Sequence, residues 1–288
     1  MPPPSTARRL AEALNPLSQV RELWIHRHLI GQFTRREIEG RYRGSFLGIL
    51  WSLVTPLLML GVFTFVYGMV FKARWPSAAG TGTGAGDDGL AAYAVALFAG
   101  QIAFQLFAEP VRNAPMLVVG NPNYVKRVVF PLPILVVAQV GATLYHFLIS
   151  LAICVAVAWW VHGSVPLTIL ALPVLALPLV LMGLGVAWFV SSLGVFFRDI
   201  GPLIAIVLQV LFFATPVVYP VSALPKEYAI VLQMNPLTPA IELVRCCVIN
   251  DPLPDPATFA WAMGGALLCA LLGGAWFRLT CKGFADVL

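Results

Sequence analysis

Long runs without a charged side chain alternate with short polar clusters along this 288-residue chain. Between Arg43 and Lys72 lie 28 uncharged residues, and 20 lie between Asp88 and Glu109. The run between Arg127 and Arg198 holds 70 residues, too many for one helix, and His162-Gly163-Ser164 with Pro166 offers a turn that divides it. Further runs extend from Ile200 to Pro225 and from Pro256 to Phe277. About 20 mostly apolar residues in helical form cross roughly 30 Å of hydrocarbon. The pattern therefore predicts an all-α integral membrane protein with six transmembrane helices, at about 46–71, 90–112, 132–160, 166–196, 200–220 and 257–278. Residues 1–45 form an N-terminal segment and 46–288 the transmembrane domain.

Composition agrees. The chain is 59% hydrophobic and 11% charged, against about 45–50% and about 25% in soluble domains. A soluble globule is excluded, and the marks of collagen, disulfide scaffolds and disordered chains are absent. Lys and Arg fix the orientation. Eight Arg fall before the first span (8, 9, 21, 27, 35, 36, 41 and 43), and Arg112, Lys126, Arg127, Arg198, Arg278 and Lys282 share that side. Only Lys72, Arg74, Lys226 and Arg245 fall opposite, so both termini are expected in the cytoplasm. The net charge of +5 is thus a topology signal and not a nucleic-acid footprint. Residues 1–45 hold no apolar run of the kind a secretory leader needs. Five scattered cysteines suggest no disulfide framework.

Between the spans, residues 17–33 place Leu17, Val20, Leu23, Trp24 and Ile30 toward one side, interrupted by Arg27, which predicts an N-terminal interfacial helix. The bland alternative is a solvated basic tail. Residues 76–89 are glycine-rich but lack the Lys-Ser/Thr of a phosphate loop, so they read as an external linker. From Val221 to Pro256, prolines cut an apolar stretch into pieces too short to cross a bilayer, such as 226–234 and 238–249. These are expected to be short external or re-entrant helices, with Glu242 and Arg245 paired across one turn.

The spans offer little ionisable chemistry. Ion-coupled carriers place charged groups inside the membrane, and here His146 stands alone near a midplane, better suited to a hydrogen bond with a neighbouring helix. No paired carboxylates or nucleophile elbow suggest an enzyme. Glu109 and Asp199 are expected to pair with nearby Arg112 and Arg198. Gly265, Cys269 and Gly273, and likewise Gly183, Ala187 and Ser191, recur at four-residue spacing and invite close helix packing, within a bundle or between protomers.

Particular strings carry a resemblance. Residues 35–57 (RREIEGRYRGSFLGILWSLVTPL), 121–131 (NPNYVKRVVFP), 196–200 (FFRDI), 211–220 (LFFATPVVYP) and 235–239 (NPLTP) resemble, in order, segments of ABC-2 type permeases of polysaccharide exporters, the exporters of O-antigen, some capsules and teichoic acids. The resemblance implies a half-transporter in the bacterial cytoplasmic (inner) membrane. Two copies would pair as a homodimer with two separate ATP-binding subunits, which would bind the ATP and Mg, and the substrate would be a lipid-linked polysaccharide. This chain has no Gly-x-x-x-x-Gly-Lys-Ser/Thr, so no cofactor is expected in it.

The resemblance also assigns roles. Coupling to the ATPase falls on about 113–131, with Asn121, Pro122, Asn123, Tyr124, Lys126 and Arg127 at its centre. Lys126 and Arg127 would meet an acidic groove, and Pro122 and Pro131 would stiffen the segment. Arg198 and Asp199 mark the inner turn between spans four and five. A path lined by spans one and five would draw on Thr55, Tyr67, Phe212, Phe213, Thr215 and Tyr219, whose hydroxyls and rings exchange with a moving glycan without trapping it. Trp24, Arg41, Tyr42 and Arg43 form an interfacial gate region. The other readings are an ABC-2 permease for a small hydrophobic compound and a membrane-embedded glycan-modifying enzyme.

Overall fold

The computed structural model describes residues 16–70, 87–126, 130–163, 167–221, 234–249 and 251–287, together with 225, 227 and 232. The regular elements among them are all helical. Two helices precede the first apolar run: α1 (Pro16–Ile25) and α2 (Arg27–Tyr42). The sequence predicts one helix here, ending near residue 33. The chain instead breaks at His26, whose Nδ1 lies 2.9 Å from the Glu22 carbonyl oxygen, and then continues to Tyr42. An Arg35–Glu39 pair one turn apart supports the extension. Gly44, at φ 83°, then lets the chain swing toward the first span.

Among the described residues, five stretches are long and apolar enough to cross a membrane: Gly48–Val66, Ala91–Val119, Pro133–Val161, Leu167–Phe196 and Pro256–Val287. The first contains α3 (Trp51–Phe63), followed by a π-helical stretch Thr64–Val70. The second lies in α4 (Asp87–Val119), and the short α5 (Pro122–Val125) follows. The third is α6 (Pro133–His162), closed by Gly163 at φ 71° where the sequence predicts a turn. The fourth holds α7 (Leu172–Leu175) and α8 (Leu177–Phe196). After α9 (Ile200–Ala214) and α10 (Leu237–Ile249), the last run contains α11 (Pro256–Thr280) and α12 (Phe284–Val287).

Two boundaries depart from expectation. α4 runs to Val119 and not to about 112, because the apolar residues Ala114, Leu117 and Val118 beyond Arg112 are themselves buried in the bundle. The segment expected to begin at 113 therefore begins at Gly120. α9 stops at Ala214, short of 220. Thr215 is extended (φ −111°, ψ 142°) before Pro216, the conformation a following proline imposes. Fifteen residues of helix reach about 22 Å, less than the hydrocarbon thickness. Much of the expected piece at 226–234 lies outside the described residues, as does most of the glycine-rich stretch 76–89.

α4 is the central helix, packed by α3, α6, α8, α9 and α10. The small-residue stripes are used inside the protomer. A Cβ at Gly273 of α11 would run into the Gly185 carbonyl of α8, and one at Gly185 would meet Cys269 backbone. Gly183 faces the other way, onto Phe107 of α4. In contrast, Ser52 is the buried residue of α3, and Leu208 that of α9.

Candidate functional site

At the end of the bundle where α4 finishes, the backbone makes a tight turn for local reasons. Gly120 N–H bonds the Met116 carbonyl at 2.8 Å, and the Asn121 side chain bonds the Leu117 carbonyl at 3.0 Å. Pro122 then opens α5 at the position where its missing N–H costs nothing. Arg36 of α2 grips this short helix. Its Nη1 donates to the Tyr124 hydroxyl at 2.5 Å and its Nη2 to Asn121 Oδ1 at 3.3 Å. The guanidinium also sits over the rings of Phe33 (5.5 Å) and Tyr124 (5.8 Å). Phe33, Tyr124 and Phe130 pack mutually, Tyr124 and Phe130 stacked at 4.6 Å. Asn123 and Lys126 are exposed, and Arg127 lies outside the described residues. The expected coupling residues therefore ride on a small element clamped to α2.

α1 is fixed separately. Arg278 of α11 donates to Glu22 at 2.7 Å and to Ser18 at 3.3 Å, and Gln19 lies against Gly274. Trp24 and Val20 remain exposed, and Arg27 covers the Trp24 ring at 5.3 Å.

Where α2 ends, two spaces meet. A cleft of about 1150 Å³ is lined by Arg36, Arg41, Arg43, Arg112 and Asn121 among others. A second cavity of about 590 Å³ lies among α3, α4 and α6. Arg41 and Tyr42 border both. Arg41 pairs with Glu109, which corrects the expectation that Glu109 pairs with Arg112. Arg198 and Asp199 form no ion pair with each other, although both are described. The Tyr42 hydroxyl lies 3.1 Å from His146 Nδ1, the expected bond to a neighbouring helix. Burial pushes the Tyr42 phenol above its ordinary range, so it stays protonated and able to donate.

The candidate path residues separate. Thr55 borders the 590 Å³ cavity. Phe212 and Phe213 are in edge contact at 5.2 Å, and Phe212 also packs on Phe104 of α4 at 5.3 Å. Tyr219 folds back to donate to the Phe213 carbonyl at 2.9 Å. Thr215 is fully buried beside Asn235, which also caps α10 by accepting from Leu237 N–H at 3.1 Å. The side chain of Tyr67 lies outside the described residues. Trp24 borders neither space, whereas Arg41, Tyr42 and Arg43 line the cleft.

Two features escape the sequence reading. Glu242 and Arg245 do pair, at 2.5 Å, but Arg245 is wholly buried and not at a surface. Its Nε donates to the Ala96 carbonyl at 3.1 Å, and its Nη2 to the Pro216 and Val217 carbonyls at 2.7 and 2.9 Å. It thus ties α10 to α4 and to the frayed end of α9, where a cation is also favoured by the helix dipole. A Cβ at Gly100 would collide with this guanidinium. The second feature is the polar lining of the 590 Å³ cavity. Gln101, Gln105 and Glu109 recur every four residues in α4, and Thr143, His146 and Ser150 follow helical spacing in α6. That periodicity is a usable signal in the sequence, carried by uncharged polar side chains more than by ionisable ones.

The described residues form an α-helical bundle with five stretches apolar and long enough to cross a membrane, and its N-terminal helix pair is clamped to the connection after α4. The chain belongs to the ABC-2 type transporter family, whose model matches residues 28–248. It is similar to two O-antigen export system permease proteins RfbA. That of Klebsiella pneumoniae is 25% identical over 262 residues, covering 90% of this chain and 95% of that protein. That of Myxococcus xanthus is 27% identical over 239 residues, 82% and 86% of the two chains. The polysialic acid transport protein KpsM of Escherichia coli is 22% identical over 247 residues, 84% and 90%. The chain is a multi-pass protein of the bacterial inner membrane, and its family is one of transport permeases, not enzymes.

Proposed function

We propose that this chain is the membrane-spanning subunit of an ATP-driven exporter that moves a lipid-linked, O-antigen-like polysaccharide outward across the inner membrane. The observation that carries the reading is the similarity to an O-antigen export permease across 90% of this chain and 95% of that one. In this reading α9 and the residues after it complete a sixth span, and both termini are cytoplasmic. Two copies form a homodimer, and two separate subunits bind ATP and Mg. The little-buried faces of α3 and α9 support a path at the protomer interface, with Thr55, Tyr67, Phe212, Phe213 and Tyr219 along it. Thr215, being buried, backs that path. Asn121, Pro122, Asn123, Tyr124, Lys126 and Arg127 dock on the ATPase, and Arg198 and Asp199 mark the neighbouring inner turn. Trp24, Arg41, Tyr42 and Arg43 gate the interface, with α1 and α2 at the inner membrane surface.

The docking role has a direct test. Reversing Lys126 and Arg127 to Glu should lower co-purification of the ATP-binding subunit about tenfold or more, since like charges facing an acidic groove repel. Membrane insertion should be unaffected. Unchanged co-purification would remove these residues from the contact.

A further inference from the structure

At the end of the bundle opposite α5, a groove of about 530 Å³ opens between the start of α10 and the first turns of α11. α11 itself separates the two ends. Trp261 lies in its second turn, whereas Arg278 near its other end binds α1, about 25 Å away along the helix. The volume falls within the roughly 300–1,000 Å³ typical of ligand sites. Val221, Pro239 and Pro254 supply walls, the prolines with a fixed backbone angle. Trp261, Glu242 and Thr258 supply chemistry, and all three keep surface open to a molecule in the groove. Trp261 is 58% exposed, the Glu242 side chain is 22% exposed, and Thr258 is half-buried. None of the candidate path residues borders this space.

The carboxylate is fixed from its buried side. One oxygen accepts from Arg245 Nη1 at 2.5 Å, and that wholly buried guanidinium is itself held by the Ala96, Pro216 and Val217 carbonyls. A carboxylate offers about four acceptor sites, so bonding capacity remains. A Trp that only anchors a helix at the membrane surface needs no such fixed acceptor beside it. Glu242 is the one formal charge among the described lining residues. It repels an anion, and because Arg245 already neutralises it, a cation gains little. An acyl chain would cover an ionised group with hydrocarbon, at a high cost. A sugar ring suits both halves of the groove. Its C–H face packs on the indole, while its hydroxyls donate to Glu242 and share a hydrogen bond with Thr258. Val221 follows Tyr219 of the candidate path by two residues, which sets the groove beside the end of that path. We propose that this groove is a binding site for a neutral sugar of the glycan as it leaves the exporter. The inference rests on the polysaccharide reading above and adds a site at the exit.

The test uses spheroplasts of the glycan-producing cell, in which the exporter is whole and its outer face is open to reagents. Thr258→Cys, a change of similar size, is labelled with a membrane-impermeant maleimide while glycan synthesis is either running or blocked. The unsubstituted chain is the blank, since Cys154, Cys246 and Cys247 are buried. A glycan threaded through the exporter presents its sugars at roughly mM effective concentration, enough to half-fill a site of mM affinity. Labelling should therefore slow about twofold or more while the glycan is made. Adding Trp261→Ala should abolish the slowing, and adding Trp261→Tyr should keep it, because a ring face remains. Equal labelling with and without glycan would mean that lipid, water or a second copy fills the groove, and would overturn the site. No labelling in either state, or undiminished protection in Trp261→Ala, would overturn it as well. Glycan export that continues unchanged when this chain is deleted would instead defeat the polysaccharide reading, and this site with it.

Discussion

Replacing Arg245 by Met should cost roughly 3–5 kcal/mol, enough to remove most folded protein, because it strands two non-helical carbonyls and the partly buried carboxylate of Glu242 at once. The guanidinium is the common partner of Glu242, Ala96, Pro216 and Val217, drawn from α10, α4 and the segment after α9. No aliphatic side chain can pair with any of them. Pairing the change with Glu242→Leu should recover only part of the loss, since the carbonyls of Pro216 and Val217 stay unpaired. Cys246 and Cys247 report the result, as both are free and buried on the same helix. In the wild type they should resist maleimide labelling in native membranes, and in Arg245→Met they should label readily, with a lower yield of monodisperse protein. Protection and yield equal to wild type would show that the network does not hold these elements together.

Arg36→Ala should separate ATP hydrolysis from export. The residue contributes two hydrogen bonds and one ring contact that join α2 to Asn121 and Tyr124, together worth roughly 1–2 kcal/mol at an exposed site. Losing them keeps the residues proposed to dock on the ATPase but frees them from the helix that carries Arg41 and Tyr42. The ATPase subunit should still co-purify, and glycan moved per ATP hydrolysed should fall about tenfold. Arg36→Lys should not rescue, because an ammonium lacks the planar fork that reaches Tyr124 and Asn121 together. Normal coupling in the Ala variant, or full rescue by Lys, would reduce Arg36 to a surface charge.

Much of the helical layout is legible in the sequence. Apolar runs longer than a bilayer and the Gly163 turn mark the long apolar helices directly, and Pro216 marks the stop of α9. What stays hidden is set by contacts distant along the chain. Glu109 finds Arg41, 68 residues away, and not the neighbouring Arg112. Arg245 is satisfied by carbonyls 28, 29 and 149 residues away, so a charge that local sequence places at the surface is wholly buried. The segment proposed to dock on the ATPase carries its string in the sequence, but the clamp that holds it joins side chains 85 and 88 residues apart. The polar stripes of α4 and α6 are visible in the sequence, while their convergence on one cavity is a property of packing.

In the proposed function this membrane subunit has no power source of its own and is driven by nucleotide turnover on a partner. Vesicles that contain this chain alone, and vesicles that contain it with its ATP-binding subunit, can be loaded with lipid-linked glycan and compared. Movement should require both the partner and hydrolysable ATP, with no movement by the chain alone under an imposed pH or sodium gradient. Glycan transport by the chain alone, driven by either gradient, would contradict the account.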